Sequence, residues 1–267
     1  VNLRVDLSHS DQTIDQQYVP GSSPLEGTPD FPQLLPLVDA DHRYRTTKLV
    51  VKNSAFFSTG AVQHNLRTGL ELLQKKRLDA SSAPGGTDRR VALFIVDDMD
   101  LSSRFRLTPQ LRFESQRIGG PAYGTYRNSA AMGGLSARYA FGNGFALLGG
   151  VYYNENLPIL DDLTNPAFMT QPERAVTYEA GLSYDGFGVF ADGDALAVKA
   201  LAYSTRVRDI TSYFGITDAE LKGLEIEAAY SLAGGVYIDM NSNITRGRNT
   251  TPGAASPYWS RSPADQI

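Results

Sequence analysis

The sequence has no cysteine, which excludes disulfide scaffolds, thiolate metal sites and cysteine nucleophiles. Long apolar runs are missing as well. The best, 145–153, is interrupted by Gly149 and Gly150 and falls far short of the roughly 18 residues that a membrane helix needs. A basic surplus is absent: 25 Lys and Arg against 29 Asp and Glu give a net charge of −4, so there is no nucleic-acid footprint. No leader segment is visible, and Val1 opens inside a strand pattern, a start expected from processing or truncation. What is present is ordinary for a folded chain: 267 residues, 42% hydrophobic and 20% charged, with a generous 25 Gly and 14 Tyr. Disorder would require fewer apolar residues.

The informative pattern is alternation with period two. Val1, Leu3, Val5 and Leu7 alternate with Asn2, Arg4, Asp6 and Ser8. Phe105, Leu107, Pro109, Leu111 and Phe113 alternate with Arg106, Thr108, Gln110, Arg112 and Glu114. Leu224, Ile226, Ala228 and Tyr230 alternate with Glu225, Glu227 and Ser231, and Ile238 and Met240 with Asp239 and Asn241. Successive strand residues point to opposite faces, so each segment has one apolar and one strongly polar face. The pattern predicts about eleven strands, near 1–15, 44–57, 62–79, 89–99, 104–117, 127–141, 145–157, 174–185, 194–209, 219–232 and 235–248. Most exceed the usual strand of ~5–6 residues.

The connections alternate too. Short ones fall near 59–60, 101–103, 142–144, 186–193 and 233–235; longer ones at 16–43, 80–88, 118–126, 158–173 and 210–218. Short turns at one end and long loops at the other mark outer-membrane barrels. Aromatics gather beside the short turns: Phe56, Phe57, Phe105, Tyr139, Phe141, Phe145, Tyr184, Phe187, Tyr230 and Tyr237. Amphipathic rings favour the membrane–water interface, so these predict one girdle.

In lipid every backbone N–H and C=O needs a partner, so such a sheet must close. Bacterial single-chain barrels have an even strand number, and an odd count with both ends cut predicts missing strands. The fold class expected is therefore all-β: an antiparallel up-and-down transmembrane β-barrel, incomplete, with 1–267 forming a partial barrel domain. Arg106, Arg112, Glu114, Glu225, Glu227, Asp239 and Asn241 are expected to face a lumen that holds water or a polar plug.

Four segments resemble the barrel of TonB-dependent outer-membrane receptors, in the family's order. They are 60–71 (GAVQHNLRTGLE); Pro172 and Glu173 followed by Tyr178, Glu179, Ala180 and Gly181; Ala202 and Tyr203 leading to Arg208, Asp209 and Ile210; and 223–227 (GLEIE). The resemblance covers most of the chain. It implies a barrel of about 22 strands around a plug domain that is absent from this sequence. It also implies active uptake of an iron chelate, a ferric siderophore or haem, energised by TonB through that plug. No permanently bound cofactor and no enzymatic activity are expected. The expected partners are TonB, outer-membrane lipid and lipopolysaccharide, and small-molecule cargo. Stretch 156–173 resembles a region where haem receptors carry Arg-Ala-Pro, a histidine and Asn-Pro-x-Leu. Here the arginine and the histidine are missing and the spacing is compressed, so haem ligation does not transfer.

The long loops offer His42 and Arg43, Tyr123 and Tyr126, and Tyr213 and Phe214 as cargo-binding candidates. Aromatics and a cation can hold a siderophore or a haem edge by stacking and charge; the plainer reading is interface aromatics and ordinary loop residues. His9 and His64 read as structural. Asp97 and Asp98, Asp161 and Asp162, and Glu225 with Glu227 could suggest calcium or acid–base chemistry, but adjacent strand carboxylates point apart, and lumen walls are polar anyway. Ser8, His9 and Ser10 lack the orienting acid and oxyanion donors of a triad. Arg246 and Arg248 could meet lipopolysaccharide phosphates or anionic cargo, or simply sit in a solvated loop. Against the receptor stand a passive porin-like or structural barrel, an outer-membrane enzyme, and a soluble all-β binding domain, the last opposed by the strand lengths.

Overall fold

The computed structural model describes residues 1–16, 40–78, 85–212 and 215–257. Alternation becomes eleven strands: β1 (Asn2–Gln16), β2 (Ala40–Thr59), β3 (Val62–Leu78), β4 (Gly86–Asp100), β5 (Phe105–Gly120), β6 (Tyr123–Gly142), β7 (Phe145–Asn156), β8 (Glu173–Phe187), β9 (Ala195–Arg208), β10 (Ala219–Ser231) and β11 (Tyr237–Asn249). They form one sheet in strict sequence order, with β1 and β11 as its edges. Every neighbouring pair is antiparallel, the arrangement that short hairpin connections allow.

The strands run longer than alternation indicates. β2 starts at Ala40 rather than 44, and β4 at Gly86 rather than 89. The long connection expected at 118–126 is instead a tight turn, with only Pro121 and Ala122 between β5 and β6. Backbone pairing continues past the last alternating apolar residue, through a register shift at Gly119 and Gly120. A Cβ on Gly120 would lie 2.4 Å from the Gly85 carbonyl oxygen, so the close approach requires glycine. The connection from β7 to β8 is longer and contains two 3-10 turns, Leu160–Asp162 and Pro166–Thr170. Asn165 starts the second by accepting the Ala167 amide, with Pro166 at its first position.

Register aligns the apolar residues of all strands into one continuous band. Val5, Val51, Leu70, Leu93 and Phe113 are successive cross-strand partners. So are Leu107, Ala137, Gly149, Ala180, Ala202, Leu224 and Ile244. Leu111 and Ile226 lie on the same face by the same registers. Among the described residues no second layer covers this face: Leu93 is 57% exposed and Phe113 58%. A soluble sandwich would bury such a face against another sheet; here it is free for lipid. Rings close its short-turn end. Phe105 packs on Tyr139 and Phe145 on Tyr184, with centroids 6.5 and 4.6 Å apart, and Phe57 stacks on His64 at 4.7 Å.

The turn from β8 to β9 is tied by one carboxylate. Asp194 accepts the amides of Val189, Phe190 and Ala191 at 2.6, 2.9 and 3.0 Å and the Tyr230 hydroxyl at 2.9 Å. None of its surface reaches solvent. Desolvation pushes its pKa up, but the Phe190 amide, the Tyr230 hydroxyl and the other amides outweigh it and hold the group below the ordinary carboxylate value. A depressed folded pKa adds stability above the unfolded value, about 3.9, and that stability disappears as pH falls through the folded value. The thermal midpoint of wild type should therefore exceed that of Asp194→Asn by a constant margin above about pH 5, and the margin should close in acid. A margin unchanged by acid would contradict this role.

Candidate functional site

The opposite face is polar and crossed by charge. Lys48 pairs with Glu71 at 3.0 Å, and Glu71 with Arg112 at 3.3 Å. Arg112 reaches Glu114 at 2.8 Å, Arg90 reaches Glu114 at 3.1 Å, and Arg90 reaches Asp88 at 2.8 Å. Three cations thus alternate with three carboxylates across β2 to β5, so this wall is rigid and locally neutral. A second pair, Arg67 with Asp98 at 2.9 Å, lies nearer the short turns. Gly134 leaves room on this face for the Tyr152 ring; a Cβ there would sit 2.4 Å from Tyr152 Cδ1.

At the long-loop end the sheet parts. β6 and β7 pair only over Gly133 to Gly142 of β6, so the outer half of β6 has no β7 partner. Glu155 partly fills the gap, accepting the Ala131 amide at 3.0 Å and the Tyr153 hydroxyl at 2.6 Å. Residues 157–172 fold from there onto the polar face, where Leu160, Leu163 and Met169 bury themselves with Ile118 of β5. This small apolar core is what seats the segment.

Polar contacts lock the same cap. The Pro158 carbonyl accepts from Gln116 Nε2 at 2.7 Å and Arg90 Nη2 at 3.1 Å. Gln116 is oriented in turn by Asp88 and Asn128. Farther round the wall, Asp161 accepts from the Tyr44 hydroxyl, and Arg77 lies 3.4 Å away. Lys75 sits over the Tyr44 ring, 4.4 Å from its centroid. Beneath the cap lies a cavity of about 510 Å³ lined by Arg90, Arg112, Glu114, Glu155, Asp162 and Glu173, among others. Its walls can donate from two guanidiniums and accept on several carboxylates, so it suits a polar, multiply charged guest. Among the described residues, no three His, Asp or Glu side chains converge to hold a metal ion.

The candidates read from the sequence separate. His42 points to the polar face beside this cluster and stacks on Tyr44 with centroids 6.1 Å apart. Its Nδ1 is buried without a hydrogen-bond partner among the described residues. Arg43 takes the opposite face and pairs with Asp11 at 2.7 Å. Tyr123 and Tyr126 pack against the apolar core of the cap. Tyr213 and Phe214 lie outside the described residues. His64 binds Asp97 at 2.7 Å on the apolar face, and His9 binds the Thr47 hydroxyl at 2.8 Å. Sequence reading missed Tyr44, Arg77, Arg90 and Gln116. Their parity placed them on the polar face, but nothing local marks them as partners of a loop that follows β7.

A family model described as TonB dependent receptor-like, beta-barrel, matches residues 1–263. No curated protein matches the chain. Among solved structures, the hemophore receptor HasR of Serratia marcescens, in complex with its hemophore HasA and heme, is 18% identical. It aligns over 79% of this chain and 43% of its own, with a TM-score of 0.64. The ferripyoverdine receptor of the Pseudomonas aeruginosa outer membrane, bound to ferripyoverdine, is 13% identical, over 93% and 38%, with a TM-score of 0.67. The copper transporter OprC is 19% identical, over 92% and 43%, with a TM-score of 0.61. At these identities the likeness is one of fold. The chain spans between 38% and 43% of the length of these three proteins.

Proposed function

The chain belongs to the TonB-dependent receptor family, as part of its β-barrel, and from that premise we propose that it forms the cargo-facing wall of a receptor for an iron chelate, a ferric siderophore or haem. The family is one of receptors and transporters, and its barrels lie in the outer membrane. The observation that carries the proposal is the inward cap at 157–172, locked to wall charges above a polar cavity. A cargo with carboxylates or catecholate oxygens can exchange for the carboxylates that now hold Arg90 and Arg112. His42, with Tyr44 beside it, offers a stacking edge at the same level.

Energy in this proposal comes from TonB acting on a plug domain. The plug would fill the barrel against the polar wall, where Lys199, Glu227, Asp239 and Asn241 line a hollow of about 670 Å³ near the short turns. The protein acts by binding and passage, without a catalytic step. A passive pore fits less well, because a porin needs an open lumen and the cap folds onto the polar wall that would line this one.

Uptake of radiolabelled ferric siderophores and of haem should be measured in cells expressing the whole receptor, with TonB present or deleted. Accumulation of one of these cargoes with TonB, falling to background without it, is the expected result. Equal uptake in both strains, or conductance to small solutes without energy, would overturn the proposal.

A further inference from the structure

The polar wall is divided by charge. On β8 to β11 its residues include Glu179, Asp185, Glu225, Glu227 and Asp239, all of opposite parity to the lipid-facing Ala180, Leu224 and Ile244. Lys199 pairs with Glu227 at 3.5 Å. Among the described residues no cation pairs with the other four. On β2 to β6 the balance reverses. Arg67, Arg90, Arg106 and Arg112 each hold a carboxylate. Among the described residues no carboxylate pairs with Lys52 or Arg138, and both are exposed. Internal pairing therefore leaves one half of the wall acidic and the other basic.

The basic half also carries a line of hollows from the cap to the short turns. The uppermost is the cavity of about 510 Å³ beneath the cap, with Arg90 and Arg112. Arg112 lines the next as well, about 440 Å³, together with Lys48 and Lys52. The lowest, about 430 Å³, is lined by Gln63, Arg104, Arg106 and Arg138, among others.

Register fixes the spacing of the cations. Lys52 and Arg112 share one line of cross-strand partners, through Gly69 and Phe94. Arg90 stands four residues nearer the cap along β4. Arg67 stands two residues nearer the short turns along β3. Arg106 and Arg138, direct partners, lie four residues farther on. At about 3.3 Å per strand residue, each step is roughly 7–13 Å. Charged heads on long flexible stems narrow these gaps further. An anion leaving one cation thus comes within reach of the next.

A negatively charged guest in the upper cavity meets two different walls below it. Carboxylates on β8 to β11 repel it, and cations on β2 to β6 attract it. Low-dielectric walls focus such fields inside a cleft. A plug seated against β8 to β11 leaves the basic sector free.

We infer that a negatively charged chelate crosses the barrel along the lumen face of β2 to β6, passed from Arg90 and Arg112 to Lys52, Arg67 and finally Arg138. The route rests on the uptake reading and adds to it the charge of the cargo and the wall it follows. Ferric carboxylate and catecholate complexes meet the requirement, as does haem through its propionates. A cationic chelate does not.

The test uses the whole receptor in cells, as wild type and as the double variant Lys52→Glu, Arg138→Glu. The probes are radiolabelled ferric citrate, a ferric catecholate and haem. For the probe that wild type takes up, the TonB-dependent rate should fall on the order of tenfold in the variant, while affinity measured without TonB stays unchanged. The charge-keeping variant Lys52→Arg, Arg138→Lys should retain the wild-type rate. Equal rates in wild type and the Glu variant would overturn the route. An affinity that falls as far as the rate would place these residues in the binding site and also overturn it. Uptake of none of the probes by wild type would instead sink the uptake reading. A second measurement needs no cargo and no charge reversal. Ser136→Cys on β6 and Ser183→Cys on β8 place single thiols on the two halves of the wall. In the energised whole receptor an anionic methanethiosulfonate should label position 136 faster than a cationic one does, with the reverse order at position 183. The same preference at both positions, or no labelling at position 136, would overturn the route.

Discussion

An arginine in place of Leu111 should cost the barrel about 2–4 kcal/mol of folding stability in a bilayer. Leu111 lies midway along the apolar residues of β5, opposite Ile95 on one side and Gly133 on the other. It is half exposed, with no layer over it among the described residues. A guanidinium there faces lipid, with Ile95 and Gly133 as its direct cross-strand neighbours and the nearest carboxylate, Asp97, already held by His64, so its desolvation is poorly compensated. The neighbouring change, Arg112→Leu, is the control. Arg112 faces the polar wall and touches Glu71 and Glu114. Each of those carboxylates keeps a second cation, Lys48 or Arg90, so the loss should stay near about 1 kcal/mol. Denaturant titration of the whole barrel, refolded into vesicles, measures both. Equal costs would mean that the facing of β5 is wrong.

The second large effect concerns the cap. Leu163→Ala removes a fully buried side chain from the four-residue core with Ile118, Leu160 and Met169. Truncations of this kind cost about 2–5 kcal/mol. The cost should fall on the cap and not on the sheet, because strand pairing makes no use of residues 157–172. Hydrogen exchange should show amides in 157–172 losing protection while β8 and β9 keep theirs. Protection lost equally across the sheet would show that the cap and the wall form a single cooperative unit. Unchanged protection would show that the polar contacts of Pro158 and Asp161 hold the cap alone. Cargo affinity measured on the same variant then tells whether a closed cap is needed for binding.

Strand number and facing were legible because they depend on a local, period-two rule. Leu107, Leu111, Leu224 and Ile226 could be placed on one face without knowing which strand each would meet. The same rule sets His42 and Arg43 on opposite faces only once β2 is seen to begin at Ala40; read as part of the loop 16–43, they lay outside its reach. Loop geometry was less legible. The tight turn at Pro121 and Ala122 hides behind a glycine pair whose need becomes visible only when Gly85 approaches Gly120. The seating of Tyr123 and Tyr126 against the cap likewise depended on where residues 157–172 would fold.

By itself, then, the sequence determined an up-and-down sheet with a lipid-facing band, an aromatic girdle and a polar wall, since each follows from side-chain alternation and turn spacing. Tertiary structure alone decided which polar residues meet. Tyr44 and Asp161 are 117 residues apart, and Arg77 and Asp161 are 84 apart; no local pattern encodes such contacts. It also decided that Arg89 of β4, Arg117 of β5 and Arg127 of β6 stand directly opposite one another. Parity puts each of them outward, but only the register between strands brings them level, and register is set by pairing along the whole strand rather than by any one residue.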